Sequence, residues 1–429
     1  MRDCQVIGQS LPRVDAPLQT TGKLIYGEDI YRENMLYAAA RYSDYSHARI
    51  KAVRTEKAGQ MPGVRAVITY RDIPVNENGS GIYGVLDQPV LARDKVYYRG
   101  DAIAVVAAET RDQAAAAAAA VEVEYEPLPP LFTVEEAMAP EAPAIHPEWF
   151  PTNVTHHLKL RDGVTDERMF DGCYLIEEHT YQTQKVDHAP IEPHVALAEV
   201  EADGRLVITT STSRPFNYIG VMTHILQMPA TMIRIKSPAV GGAFGGKNEI
   251  MLEPWVAVLA MKTGRCVKMV FSREEDLNTS TVRHAYRMVY KTGVSREGKL
   301  LANEVRIYAD SGAYLGLGKS TLLKAIVQSS GPYTVPNVKA DAYLVYTNTL
   351  VGSSMRGMGV PQVCYAMECQ MDTLAHSLGL SPREIRERNL FGQWGQMPNG
   401  QVTYSAGARP SFDRAWEIFN DETKWRGRK

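Results

Sequence analysis

An α+β fold of at least two units follows from three features of this 429-residue sequence. Strand and helix signals alternate from Leu36 to about Glu126. A stretch rich in Pro, Ala and Glu then runs from Pro127 to about Asn153, and beyond it strands are separated by two strong helices. The chain is long enough for two or three cores. Residues 1–140 are read as the first unit, 141–154 as an extended connection over the surface, and 155–429 as the second unit.

In chain order, Ala48 to Gly63 reads as a helix closed by Pro62-Gly63, followed by the strand "VRAVITY". "DAIAVVAAE" (Asp101 to Glu109) reads as a buried strand. Thr110 is the expected N-cap of an Ala-rich helix that leads into the strand "VEVEYE". Later strands are "GRLVITTSTS", "TMIRIKS", "EVRIYAD" and "AYLVYTN". The strong helices are Ile250 to Gly264 and about Gln362 to Leu378. The second is followed by "SPREIRERNL", in which Ser381, Pro382 and Glu384 form a capping box with Pro at the first helical position.

Composition narrows the function classes. Hydrophobic residues make up 45% and charged residues 22%, the balance of a packed globular chain. A net charge of −2, with no Lys/Arg run interleaved with aromatics, argues against a nucleic-acid partner. Cys4, Cys173, Cys266, Cys364 and Cys369 show neither CxxC nor metal-type spacing. They predict reduced thiols and a cytoplasmic protein. The start lacks the apolar core of a secretion signal. No run approaches the ~20 apolar residues of a membrane span, so no membrane role is expected.

The chemistry concentrates in two Gly-rich loops. "AVGGAFGGKNE" (Ala239 to Glu249) follows a strand and precedes the helix-like segment at Ile250. A Gly turn at a helix start suits an anion-bearing ligand, because free N–H groups and the helix dipole face it. A P-loop would need Ser or Thr after Lys247, where Asn248 stands, and "GGAFGG" lacks the Rossmann spacing. A tight turn without a ligand competes, but "SSMRGMGVPQ" (Ser353 to Gln362) sets Arg356 in a second Gly-flanked loop before a Pro helix start. Two such loops could clamp one extended phosphate-bearing cofactor. His188 and His194 flank "APIEP"; without a visible convergence of ligands they read as a structural turn.

Together "GGAFGGK", "RGMG", "HAPIEP" and "TGKLIYGEDI" resemble the molybdenum hydroxylases, the xanthine dehydrogenase and aldehyde oxidase family, in their molybdopterin-binding subunit. The resemblance spans essentially the whole chain. It implies an N-terminal α/β hammerhead domain and then the first part of the molybdopterin-binding region. The implied cofactor is molybdenum–molybdopterin, usually a cytosine dinucleotide in bacteria, with [2Fe-2S] clusters and FAD on other subunits. By this resemblance Gly241, Gly242, Phe244 and Gly245 would lie against the metal end of the cofactor, with Arg356 and Gly357 touching it through the backbone. No catalytic residue and no metal ligand is expected on this chain.

The sequence also departs from the family. Ser213 stands where many members carry a Gln that bonds an oxo ligand. At the positions that line up with purine-binding residues stand Asn248 for a Glu, Leu315 beside Tyr314 for an orienting Arg, and Met358 for a stacking Phe. Fewer polar contacts remain for a purine, and Met gives a softer wall. The expected substrate is a nicotinate-like or purine-like N-heteroaromatic, with an aromatic aldehyde or a non-catalytic assembly role as alternatives. Members with the whole molybdopterin region are longer. The resemblance therefore implies a split, nicotinate-dehydrogenase-like arrangement, with a second molybdopterin subunit supplying the general base; a truncated fragment is the alternative.

Overall fold

The computed structural model describes residues 6–80 and 84–420. At its centre is a seven-stranded sheet with spatial order Ile233–Lys236, Leu206–Thr210, Val195–Val200, Val267–Val270, Leu36–Tyr42, Ala102–Ala108, Val64–Thr69. Every residue of Ala102–Ala108 is buried, as its unbroken apolar run requires of a strand covered on both faces. The helices Pro215–Leu226 and Glu253–Thr263 contribute Tyr218, Met222, Trp255 and Leu259 to the core beside this sheet.

The boundary expected at 141–154 does not separate two sheets. Strand Leu36–Tyr42 runs parallel to Val267–Val270, with Leu36 opposite Val267 and Tyr37 opposite Lys268. Lys268 reaches back to donate to the carbonyl of Ile30 at 2.9 Å. An early strand edge left open would carry unpaired N–H and C=O groups, and the later strand satisfies them. Segment 141–154 is irregular and partly exposed, but anchored. Ile145, His146 and Asn153 are buried, and the Asn153 amide bridges Ile145, Ala137 and Pro143.

A second correction concerns residues 48–63. Ala48–Arg54 is a strand, paired with Lys95–Val96 and Glu122–Pro127, and only Glu56–Gly59 is helical. Sheet partners more than 40 residues distant along the chain override a local pattern that suits either element. The other elements match their signals. Thr110 Oγ1 accepts from the Gln113 N–H, and the Ser381–Glu384 capping box forms.

A five-stranded sheet, in the order Leu175–Thr183, Tyr286–Val294, Leu300–Gly312, Asn337–Tyr346, Val154–Asp162, is the second large sheet. Helices Gly318–Val327 and Val360–Leu378 pack on it. The latter buries Val363, Ala366, Met367, Gln370, Met371 and Leu374 on one face. Cys173, Cys266, Cys364 and Cys369 are free thiols, whereas Cys4 lies outside the described residues. Among the described residues no helix is long and apolar enough to cross a membrane.

Candidate functional site

The two Gly-rich loops meet. The Arg356 N–H donates to the Phe244 carbonyl at 2.8 Å, and Ser354 Oγ donates to the Gly245 carbonyl at 3.1 Å. Gly245 has φ +109, and a Cβ there would lie 2.6 Å from the Ser354 carbonyl oxygen, so only glycine lets the loops approach this closely. Asn248 completes the seam by donating to Ser354 Oγ at 2.9 Å. Phe244 and Met358, at φ 50 and 45, hold left-handed conformations unusual for side-chain-bearing residues. Only the second loop opens a helix, with Gly359 immediately before Val360. The first is followed by a single 3-10 turn, Gly246–Asn248, and its helix begins at Glu253. Buried Glu253 fixes that start by accepting from the Met251 N–H and the Thr210 hydroxyl. The helix-dipole argument therefore holds for one loop and not for the other.

"HAPIEPH" fastens both loops from below. The His188 ring lies 2.8 Å from the Ser354 carbonyl through Nε2 and packs against Gly246. Glu192 accepts from the Gly241 N–H and from Lys247 Nζ, both at 2.7 Å. His194 bridges the Asp276 carboxylate and the Gly246 carbonyl. Burial pulls the Lys247 ammonium below its ordinary pKa against the opposing pull of Glu192. Among the described residues no cluster of His, Cys, Asp or Glu could hold a metal ion. Both histidines touch loop backbone, His188 at the Ser354 carbonyl and His194 at the Gly246 carbonyl.

Beside the seam opens a cleft of about 340 Å³, whose wall includes Arg214, Asn217, Asn248, Glu249, Gly316 and Leu317. Ser213, adjacent to it in sequence, is exposed and donates its N–H to the Lys247 carbonyl at 3.0 Å. The Glu249 carboxyl is bonded by the Ser353 hydroxyl, and burial pushes its pKa up to about 7.

Two expected substrate residues are not here. Tyr314 and Leu315 are fully buried; the Tyr314 hydroxyl donates to Asp101 and the Leu315 N–H to Asp87. They leave the end of strand Leu300–Gly312 facing the first unit, and the next residues, Gly316 and Leu317, reach the cleft instead. The cation beside Met358 is Lys324, whose Nζ lies 3.2 Å from the Met358 Sδ. Nothing in the sequence marks it, because a single exposed Lys on a helix carries no local signal.

These residues fit a cofactor that offers acceptor oxygens. Among the described residues the N–H groups of Gly242, Phe244, Gly245 and Gly357 have no protein acceptor. Phe244 is 47% exposed, its ring beside Gly242. Donors left free in a loop otherwise tightly fastened are what an anionic ligand end would use.

Comparison with known proteins agrees. Residues 145–390 match the molybdopterin cofactor-binding domain, and residues 21–129 match the a/b hammerhead domain of aldehyde oxidase and xanthine dehydrogenase. This chain is a molybdopterin-binding subunit of the xanthine dehydrogenase family. The subunit is 37% identical over 419 residues to the nicotinate dehydrogenase large molybdopterin subunit of Eubacterium barkeri, covering 97% of each chain. It is 32% identical over 432 residues to the xanthine dehydrogenase molybdenum-binding subunit of Escherichia coli O157:H7, covering 96% of this chain and 56% of that one. Among solved structures, the aldehyde oxidoreductase of Desulfovibrio gigas superposes with a TM-score of 0.91 at 30% identity, over 95% of the subunit and 46% of that chain. The subunit thus spans nearly the full length of the first relative but about half of the other two.

Proposed function

We propose that this molybdopterin-binding subunit forms one wall of the active site of a molybdenum hydroxylase complex that oxidises an N-heteroaromatic substrate, with water as oxygen donor. The observation that carries this reading is the closed seam between the Phe244 and Arg356 loops, which leaves a row of free N–H donors beside a cleft. The molybdenum–molybdopterin group, as a cytosine dinucleotide, supplies the redox chemistry when bound. Gly241, Gly242, Gly245 and Gly357 bring backbone within reach of it, Phe244 keeps bulk water from its metal end, and Arg356 holds the second loop to the first. Ser213 adjoins the cleft that Asn248 lines, and Met358 lies against Lys324 of helix Gly318–Val327. End-to-end similarity to a large molybdopterin subunit supports a second molybdopterin subunit as partner, carrying the general base, with [2Fe-2S] and FAD subunits completing a cytoplasmic complex.

The test is to purify the complex from its native host and measure molybdenum, extractable pterin dinucleotide and turnover on pyridine and purine substrates. Molybdenum near one atom per subunit with pyridine hydroxylation is expected. A complex holding neither molybdenum nor pterin would defeat the proposal, and preferential oxidation of aromatic aldehydes would replace its substrate class.

A further inference from the structure

The cleft beside the seam has a charge pattern that its structural role leaves unexplained. Arg214 precedes helix Pro215–Leu226 and lines the cleft, yet its guanidinium makes no ion pair or side-chain hydrogen bond among the described residues. The remaining polar wall is neutral amide: Asn78, Gln88, Asn217 and Asn248. A cation left without a partner in a concave, half-enclosed site attracts anions more strongly there than on open surface, because less water screens it.

The one carboxyl on the wall, Glu249, does not neutralise Arg214 by contact. It is engaged instead by the Ser353 hydroxyl, and Gly316 covers it with bare backbone, a position where a Cβ would lie 3.2 Å from Oε1. Burial, with the Asp87 charge adding to it, lifts Glu249 to about 7 despite the opposing pull of Arg214, so near neutrality much of it is protonated. The cleft therefore presents the Arg214 guanidinium beside a carboxyl that is only partly ionised near neutrality, with several amide donors and a volume suited to a single substituted ring.

We propose that this cleft is a specificity subsite in which the Arg214 guanidinium holds the carboxylate of a small aromatic substrate, with Asn217 and Asn248 completing its hydrogen bonds. This rests on the functional reading above and narrows it from heteroaromatics in general to ring carboxylates. Arg suits the role because its planar fork matches a carboxylate with two parallel donors.

The experiment measures equilibrium binding of pyridine-3-carboxylate and of the uncharged pyridine-3-carboxamide to the reduced complex, by anaerobic calorimetry, so that no turnover intervenes. The wild-type complex should prefer the carboxylate. Arg214→Ala should cut that preference at least tenfold, and Arg214→Lys should keep most of it. Asn217→Asp adds a negative charge to the rim at an exposed first-turn position that an acidic residue suits. It should cut the preference at least threefold even if Arg214→Ala fails to fold. A preference unchanged within twofold in both Arg214→Ala and Asn217→Asp would overturn the proposal. So would its loss in Lys324→Met alone, which would move the carboxylate to the helix Gly318–Val327 side. Acetate competing as well as the ring carboxylate would also overturn it, by making the cleft a general anion site. Failure of the broader functional reading would look different: a complex without molybdenum or turnover, in which the binding ratio can still be read.

Discussion

The contact that joins the two loops is decided by one missing atom. Gly245 at φ +109 would place a Cβ 2.6 Å from a backbone carbonyl that cannot rotate aside, whereas Gly264, at φ +66, has nothing within 4 Å. Both positions bear the left-handed cost of an L-residue, about 1–2 kcal/mol. Gly264→Ala should therefore lower the melting temperature by a few degrees with molybdenum content kept. Gly245→Ala should also spread the seam and lose the cofactor, read as metal per subunit in the purified complex. Full molybdenum in Gly245→Ala would show that the loops do not need their close approach. The glycines themselves were legible, since a cluster around one Phe demands a backbone reason. The partner that makes Gly245 necessary, the Ser354 carbonyl more than 100 residues on, was not.

At the scale of elements, the link between the first Gly loop and helix Glu253–Thr263 holds Glu249 half-buried against Ser353 of the short strand Gly352–Ser353. Its pKa in the folded chain is raised to about 7 from an ordinary value near 4.5. A carboxyl raised on folding binds its proton more tightly in the native state. The stability this gives is complete below about pH 4.5 and is lost as pH rises through about 7, an effect of about 3 kcal/mol at most. Denaturant unfolding at pH 5.5, 7 and 8.5 should show stability falling with pH, and Glu249→Gln should flatten that slope. Equal slopes in the two proteins would remove Glu249 from the account. Local rules served well for elements whose ends are set by their own side chains, as at Thr110 and Ser381. They failed at Ala48–Arg54, where the competing helix lost to strands brought alongside only by folding.

The molecule as a whole is knitted across the division that composition suggests. Three strands of the seven-stranded sheet come from the first unit and four from the second, joined where Leu36 meets Val267. The buried pairs Tyr314–Asp101 and Tyr346–Asp87 tie the units again elsewhere. Residues 21–129 expressed alone should therefore not fold cooperatively. The piece would expose the edge of Leu36–Tyr42 together with the apolar faces that Trp255 and Leu259 cover in the intact chain. Circular dichroism with thermal melting would check this, and a sharp two-state transition in the fragment would show that the shared sheet is dispensable.

Sequence alone determined what local chemistry can specify. It set the α+β class, most strands, the helices Glu253–Thr263 and Val360–Leu378, the capping signals, and the two Gly loops with the family they resemble. These rest on periodicity, turn residues and short motifs, all read within a few residues of one another. Tertiary structure alone decided that the His188–His194 segment fastens both loops, that Tyr314 and Leu315 turn inward, and that Lys324 stands beside Met358. It also decided that Arg214 faces a cleft with no ion pair or side-chain hydrogen bond of its own among the described residues. The reason is physical: a side chain's partner, burial and charge environment depend on which distant backbone folds against it, and no spacing along the chain encodes that directly.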